Sequence, residues 1–415
     1  MVALMALGAS LLLVLAAPRL RGLSPGVAFF VGALLLAVCG TMGSAAGFTA
    51  LGYSIVAPRT LAFVVAVLCV FVLSAQLQQC GALRALTQAA SRSLRNPRLR
   101  MAALPALIGL LPMPGGAVVS APMVEQCGHG SRDTQHSINY WFRHIWEIWW
   151  PLYPPVLLAA GMSGCRLSDF ALALAPLMLV LVIVGALWLL RSIPATRSAA
   201  PANGGGISSV LVPLGLMLLC MPLAEKWLAA VGLLGSEWGL AAACLPGMAF
   251  LVLRHGGASL GRALCARRTW GLVIVAWSMK VFGAMVGAGG SAVVLADCIG
   301  VTGSVVLGLT AVPLAAGLAT GNTVAAVSVA FPLVAALPGM AAVDGQERVW
   351  LFAAAYAAAF LGYMLSPVHM CLVLSAEHFG SPLMSSWRRL ATPLLVCGVL
   401  GAGYFVAALT LFSAA

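Results

Sequence analysis

The chain has 415 residues, of which 62% are hydrophobic and 8% charged, with a mean hydropathy of +1.05. Soluble domains carry about a quarter charged residues, so a soluble globular protein is excluded and an all-α integral membrane protein in the lipid bilayer is indicated. The formal charge of +12 invites a nucleic-acid reading. Cytoplasmic loops of membrane proteins collect Lys and Arg for other reasons, and no nucleic-acid partner is expected.

Apolar runs of about 17–25 residues are each long enough to cross the hydrocarbon as a helix. In chain order they predict ten transmembrane helices, near 2–17, 25–42, 60–79, 138–160, 170–190, 208–231, 238–254, 269–288, 350–375 and 391–412. The first run resembles a signal-peptide core, yet Arg19 and Arg21 follow it and no basic residue precedes it. That order predicts a retained span with its N-terminus outside. From this start, loops predicted to be cytoplasmic hold sixteen of the 22 basic residues. Outer loops hold Arg59, Arg166, Lys226 and Arg348, while Arg143 and Lys280 fall inside spans. The bias satisfies the positive-inside rule, with both termini outside a cytoplasmic (inner) membrane. Residues 192–206, rich in Ser, Ala, Gly and Pro, form a cytoplasmic linker between an N-terminal half, 1–191, and a C-terminal half, 207–415.

Segments 103–127 and 305–337 are apolar but interrupted by Gly and Pro. Helix breakers free backbone groups that hydrocarbon cannot satisfy. Each segment reads as a re-entrant hairpin, the first entering from the cytoplasm and the second from outside. The alternative, an ordinary kinked span in each place, would put the basic loops at 191–197 and 254–268 outside. Residues 60–86 and 269–295 align without a gap, with identities at Thr60/Thr269, Val64/Val273, Val72/Val281, Ala75/Ala284, Gly81/Gly290 and Leu86/Leu295. Pro105, Gly109 and Pro122 recur as Pro313, Gly317 and Pro332. In the predicted topology the two copies cross in opposite directions, so the duplication is inverted, an architecture common in secondary transporters.

The polar groups of these breaks are candidate ligands for a substrate or ion. The second hairpin offers Thr320, Gly321, Asn322 and Thr323. The first offers the backbone of Pro114, Gly115 and Gly116, then Ser120. Half-helix N-termini suit an anion, and Asn, Thr and free carbonyls suit Na+. In the run from Asn139 to Glu147, Asn139, Arg143 and Glu147 share one helix face with His144 beside it. A buried membrane charge is a functional hypothesis by default, although Arg143 could equally anchor an aromatic belt at the interface. Lys280 is expected to pair with Asp297 or Glu147, or to bind an anion. Ser366 precedes another proline break, and His369 is either a proton site or a packing histidine. His144, Glu147 and His369 are the candidates for proton coupling. The eleven cysteines show no CxxC pair and no zinc spacing. No metal or other cofactor is expected beyond H+ or Na+ as coupling ion.

These residues lead to a secondary active transporter of a small solute, expected to be anionic (an organic acid or oxyanion), and not an enzyme; the alternatives are an intramembrane enzyme or a channel-like component. The motifs LPMPGG with SAP, NYWFRHIWE with YP, and MLSPVHMC resemble domain-of-unknown-function family 401, grouped with the ion-transporter superfamily. The resemblance covers most of the chain. It implies two inverted repeats with one re-entrant hairpin each, as in dicarboxylate, gluconate and arsenite transporters, and a homodimer. Dicarboxylate transporters of that superfamily carry Ser-Asn-Thr at both hairpin tips. Here Asn322 and Thr323 match, Gly321 replaces the serine, and the first hairpin lacks the motif.

Overall fold

Proline punctuates the chain, and helices in the computed structural model begin where proline permits them. Pro25, Pro58, Pro97 and Pro154 each occupy a first helical turn, where a missing N–H breaks no intrahelical bond. The structure describes residues 2–16, 24–40, 43–113, 116–194, 208–232, 235–288, 290, 293 and 305–413. Among these residues there is no strand.

The first half contains α1 (Val2–Ala16), α2 (Pro25–Cys39), α3 (Ser44–Val56), α4 (Pro58–Gln79) and α5 (Ala82–Ser93). It continues with α6 (Pro97–Gly109), α7 (Gly116–Glu125), α8 (Arg132–His144), α9 (Pro154–Ser163) and α10 (Leu167–Leu189). The second half opens with α11 (Ser208–Ala230), α12 (Ser236–His255), α13 (Ala258–Cys265) and α14 (Arg267–Ala288). It closes with α15 (Val305–Thr320), α16 (Thr323–Ala335), α17 (Gly345–Leu365), α18 (Met370–Phe379) and α19 (Leu383–Ser413). Most of the expected linker lies outside the described residues.

Among the described residues, seven stretches are long and apolar enough to cross a bilayer: Ser44–Gln79, Leu167–Leu189, Val210–Ala230, Glu237–His255, Arg267–Ala288, Gly345–Phe379 and Leu383–Leu411. Leu172, Leu179, Ile183 and Leu187 are exposed at helical spacing along one side of α10. Such a stripe suits hydrocarbon rather than water. The structure is that of a multi-pass helical membrane protein.

Two predicted spans are not single helices. The run 138–160 is helical only to His144, unwinds through 145–153 and resumes as α9. Pro151 and Pro154 cause this, because proline supplies no N–H and disfavours helix in the residue before it. The run 350–375 likewise breaks between Leu365 and Met370, around Pro367. Helix α3 was not expected; it fills a stretch read as loop and leads almost directly into α4.

The Gly/Pro-rich segments are pairs of short helices, α6 with α7 and α15 with α16. The longest has 16 residues, or about 24 Å of helix, less than the roughly 30 Å of a hydrocarbon core. Helix α6 packs on α7 and α8, and α15 packs on α16 and α17. Helix α7 also meets α18, and α16 meets α9. Each pair therefore touches both a helix of its own half and the short helix after the break in the other half.

The glycines at matching positions do the same work. A Cβ on Gly109 would collide with the Arg143 carbonyl of α8, and one on Gly317 with the Ala359 carbonyl of α17. Gly109→Ala and Gly317→Ala are each expected to cost about 1–3 kcal/mol by overpacking, read as lower melting temperatures in detergent. Gly215, inside α11 with open space around its Cβ position, is the control, and Gly215→Ala should be unchanged or up to about 1 kcal/mol more stable, because alanine favours helix. Equal melting temperatures for all three variants would mean the crossings are looser than described.

Candidate functional site

The unwound stretch after α8 places Arg143 and Glu147 in the interior. Arg143 is 1% exposed and Glu147 7%. Arg143 Nη1 donates to Glu147 Oε1 at 3.2 Å and to Tyr153 Oη at 2.9 Å, and Nη2 donates to the Met113 carbonyl at 3.3 Å. Tyr153 Oη donates onward to the Gly109 carbonyl at 2.6 Å. The first broken segment therefore lies directly against the guanidinium. Gly116 permits this approach: a Cβ there would sit 2.5 Å from Arg143 Nε. That Nε is buried and has no hydrogen-bond partner.

The second break reaches the same centre from the other side. Tyr363 Oη donates to Glu147 Oε2 at 2.9 Å, and Tyr356 Oη donates to the Glu147 carbonyl at 2.8 Å. His369 Nδ1 lies 2.7 Å from Tyr140 Oη. Its ring is 4.0 Å from the Tyr363 ring and 4.9 Å from that of His144, centroid to centroid. His144 Nε2 is 3.9 Å from Glu147 Oε1. Ser366 Oγ donates to the Leu318 carbonyl at 2.7 Å. Gly321 takes φ +57° at the tip of the second pair, and a Cβ there would lie 3.0 Å from His369 N. The two breaks mirror each other: Tyr153 holds the end of α6, and Ser366 holds the last turn of α15.

Beside this centre Asn139 ties three helices together. Its Nδ2 donates to the Ala117 carbonyl and to Ser375 Oγ, each at 2.9 Å, and its Oδ1 accepts from Ser120 Oγ at 2.6 Å. Near the end of α8 away from this centre, Ser385 and Ser381 donate to Asp133 and hold its carboxyl below the ordinary value.

The fold thus gathers Gly116, Ser120, Asn139, Arg143, His144, Glu147 and His369, with Ser366 and Gly321 at the second break. Arg143 does not reach for an interface; it is enclosed and paired. Thr320 and Asn322 serve the backbone locally: Thr320 Oγ1 donates to the Ala316 carbonyl, and exposed Asn322 caps α16 by accepting from Ala325 N. Thr323 Oγ1 is buried without a hydrogen-bond partner. Pro114, Gly115 and Asp297 lie outside the described residues. The expected pairing of Lys280 with Glu147 is corrected, because Arg143 and Tyr363 already occupy that carboxylate. Lys280 Nζ instead lies 4.0 Å from Glu237 Oε1 and 5.4 Å from the centre of the Phe63 ring.

Sequence reasoning missed Tyr140, Tyr153, Tyr363, Ser375, Cys371 and Glu237 as members of buried polar clusters. The tyrosines read as membrane aromatics, and only their hydroxyl partners distinguish them. Tyr153 had one usable signal, its place before two prolines where a helix cannot continue.

A bilayer-spanning helical bundle with an ion pair buried at two helix breaks defines an integral membrane protein with a polar interior site. The chain belongs to the family described as Protein of unknown function (DUF401), whose model matches residues 3–407. No curated protein matches it.

Proposed function

We propose that the protein is a secondary active transporter of a small anionic solute, an organic acid or oxyanion, coupled to H+ or Na+. In this reading the halves 1–191 and 207–415 are inverted repeats, the pairs α6–α7 and α15–α16 are re-entrant hairpins, and both termini lie outside the cytoplasmic membrane. The reciprocal packing of α7 on α18 and α16 on α9 supports the repeat, as do the matched crossings at Gly109 and Gly317. The assembly is a homodimer and the chemistry is transport, not catalysis.

The observation that carries the reading is the enclosed Arg143–Glu147 pair, contacted by both breaks. A cation buried in low dielectric requires one counter-charge. Glu147 supplies it in this state. An anionic solute can take its place if Glu147 accepts a proton, so one anion and one proton enter together and the interior stays neutral. His144, 3.9 Å from Glu147 Oε1, and His369 lie on the route such a proton would take. Broken helices suit alternating access because each half-helix can move about a fixed centre.

The test is uptake into proteoliposomes under an imposed pH or Na+ gradient, across a panel of organic acids and oxyanions. Accumulation of one solute against its own gradient is the expected result. Flux that only dissipates gradients would identify a channel instead. Turnover without transport would identify an enzyme.

A further inference from the structure

His144, His369 and Cys371 bring three ligand atoms together, one ring nitrogen of each imidazole and the Cys371 sulfur all lying within 4.8 Å of one another. The sequence gives no hint of this, since Cys371 has no CxxC partner and His144 lies in the other half of the chain. Both rings are also held as metal-bound imidazoles are held, by a partner on the nitrogen away from the metal. His144 Nδ1 donates to the Tyr140 carbonyl at 2.5 Å, which leaves Nε2 with a lone pair. That Nε2 is buried and has no hydrogen-bond partner, an unsatisfied acceptor that calls for a ligand. Tyr140 Oη lies 3.0 Å from the Met364 carbonyl and 2.7 Å from His369 Nδ1. With the tyrosine proton on Met364, His369 Nδ1 can donate to Tyr140 Oη, and that tautomer leaves a lone pair on Nε2. One residue, Tyr140, therefore orients both imidazoles through two different oxygens.

We propose that His144 Nε2, His369 Nε2 and Cys371 Sγ bind a thiophilic monovalent ion of the Cu+ type. Metal–nitrogen and metal–sulfur bonds of about 2.0–2.3 Å put ligand atoms roughly 3.3–4 Å apart, so atoms up to 4.8 Å apart must close by at most about 1.5 Å. A set of two imidazoles and one thiolate is soft and suits Cu+ or Zn2+. Charge decides between them. The adjacent Arg143 and Glu147 cancel each other at 3.2 Å, and a thiolate with Cu+ is neutral. Zn2+ would leave a net positive charge in the interior beside a guanidinium, which burial penalises. Binding expels the thiol proton, and no electron transfer is involved.

The experiment titrates purified full-length protein in detergent with Cu+ against a chromophoric Cu+ chelator, under a thiol-free reductant. Copper K-edge absorption is then recorded at one equivalent. The expected result is one Cu+ per chain with two imidazole nitrogens and one sulfur around it. Cys371→Ser should abolish this site, and Tyr140→Phe, which touches no metal, should weaken it about 10–100-fold. Nine other free cysteines are described, and binding among them would give a two-sulfur spectrum that overturns the proposal. Unchanged affinity in Cys371→Ser also overturns it, as does Zn2+ displacing Cu+ from the wild-type site. If Cys371→Ser fails to fold, the Tyr140→Phe affinity and the wild-type spectrum decide. A bound ion would take His144 and His369 out of the proton route and leave Glu147 to carry it. Binding in detergent requires no uptake, so failure of this site is read apart from failure of the transport reading.

Discussion

Arg143→Met is expected to destabilise the protein by about 3–5 kcal/mol, the usual result of removing one partner from a buried ion pair. The loss comes less from the missing attraction than from what remains. Glu147 keeps Tyr363 as a donor but loses its counter-charge at 7% exposure. The double variant Arg143→Met/Glu147→Gln should recover most of that stability, because two neutral groups of similar volume replace two charges and no charge is left unpaired. Equilibrium unfolding in mixed micelles measures both. The double variant should still fail to take up the anionic solute, since the cation that attracts it is gone. If Arg143→Met alone is as stable as wild type, the two side chains do not depend on each other, and the charge-exchange mechanism falls with that result.

The second large effect is on coupling. Glu147→Gln mimics a permanently protonated carboxyl and still offers an oxygen to Tyr363. Arg143 then has no fixed counter-charge and binds the anion without a proton. Exchange of solute between two loaded compartments should therefore persist. Uptake driven by a pH gradient should not. One pH unit corresponds to 1.36 kcal/mol, about a tenfold accumulation for one coupled proton, and the variant is expected to lose all of it. Proton-driven accumulation that survives in Glu147→Gln would remove Glu147 from the coupling step.

The breaks were legible because their causes are local. Pro and Gly act on their own turn of helix, so the interruptions after Gly109, at Gly321 and around Pro367 can be located without knowing any neighbour. The break at 145–153 was legible in principle, from Pro151 and Pro154, but the hydropathy of the run masked it. Window averages report how apolar a stretch is and are indifferent to whether its backbone can stay helical. Lys280 shows a different limit. Its depth in α14 implied a partner, yet the choice of Glu237 over Glu147 depends on how α12 packs near α14.

The sequence by itself determined that this is a membrane protein of the DUF401 family, and it singled out Asn139, Arg143, His144, Glu147 and His369 as unusual for hydrocarbon. Composition and motif suffice for that, because transferring a charge or a helix break into lipid is costly wherever the chain goes next. Only the tertiary structure decided which of these groups meet. Tyr363 reaches Glu147 from 216 positions away, and Tyr140 reaches His369 from 229. Periodicity fixes the face of a helix on which a side chain stands. The partner across that face is set by the packing of other helices, at glycine crossings such as Gly109 on α8 and Gly317 on α17, where no side chain keeps the backbones apart.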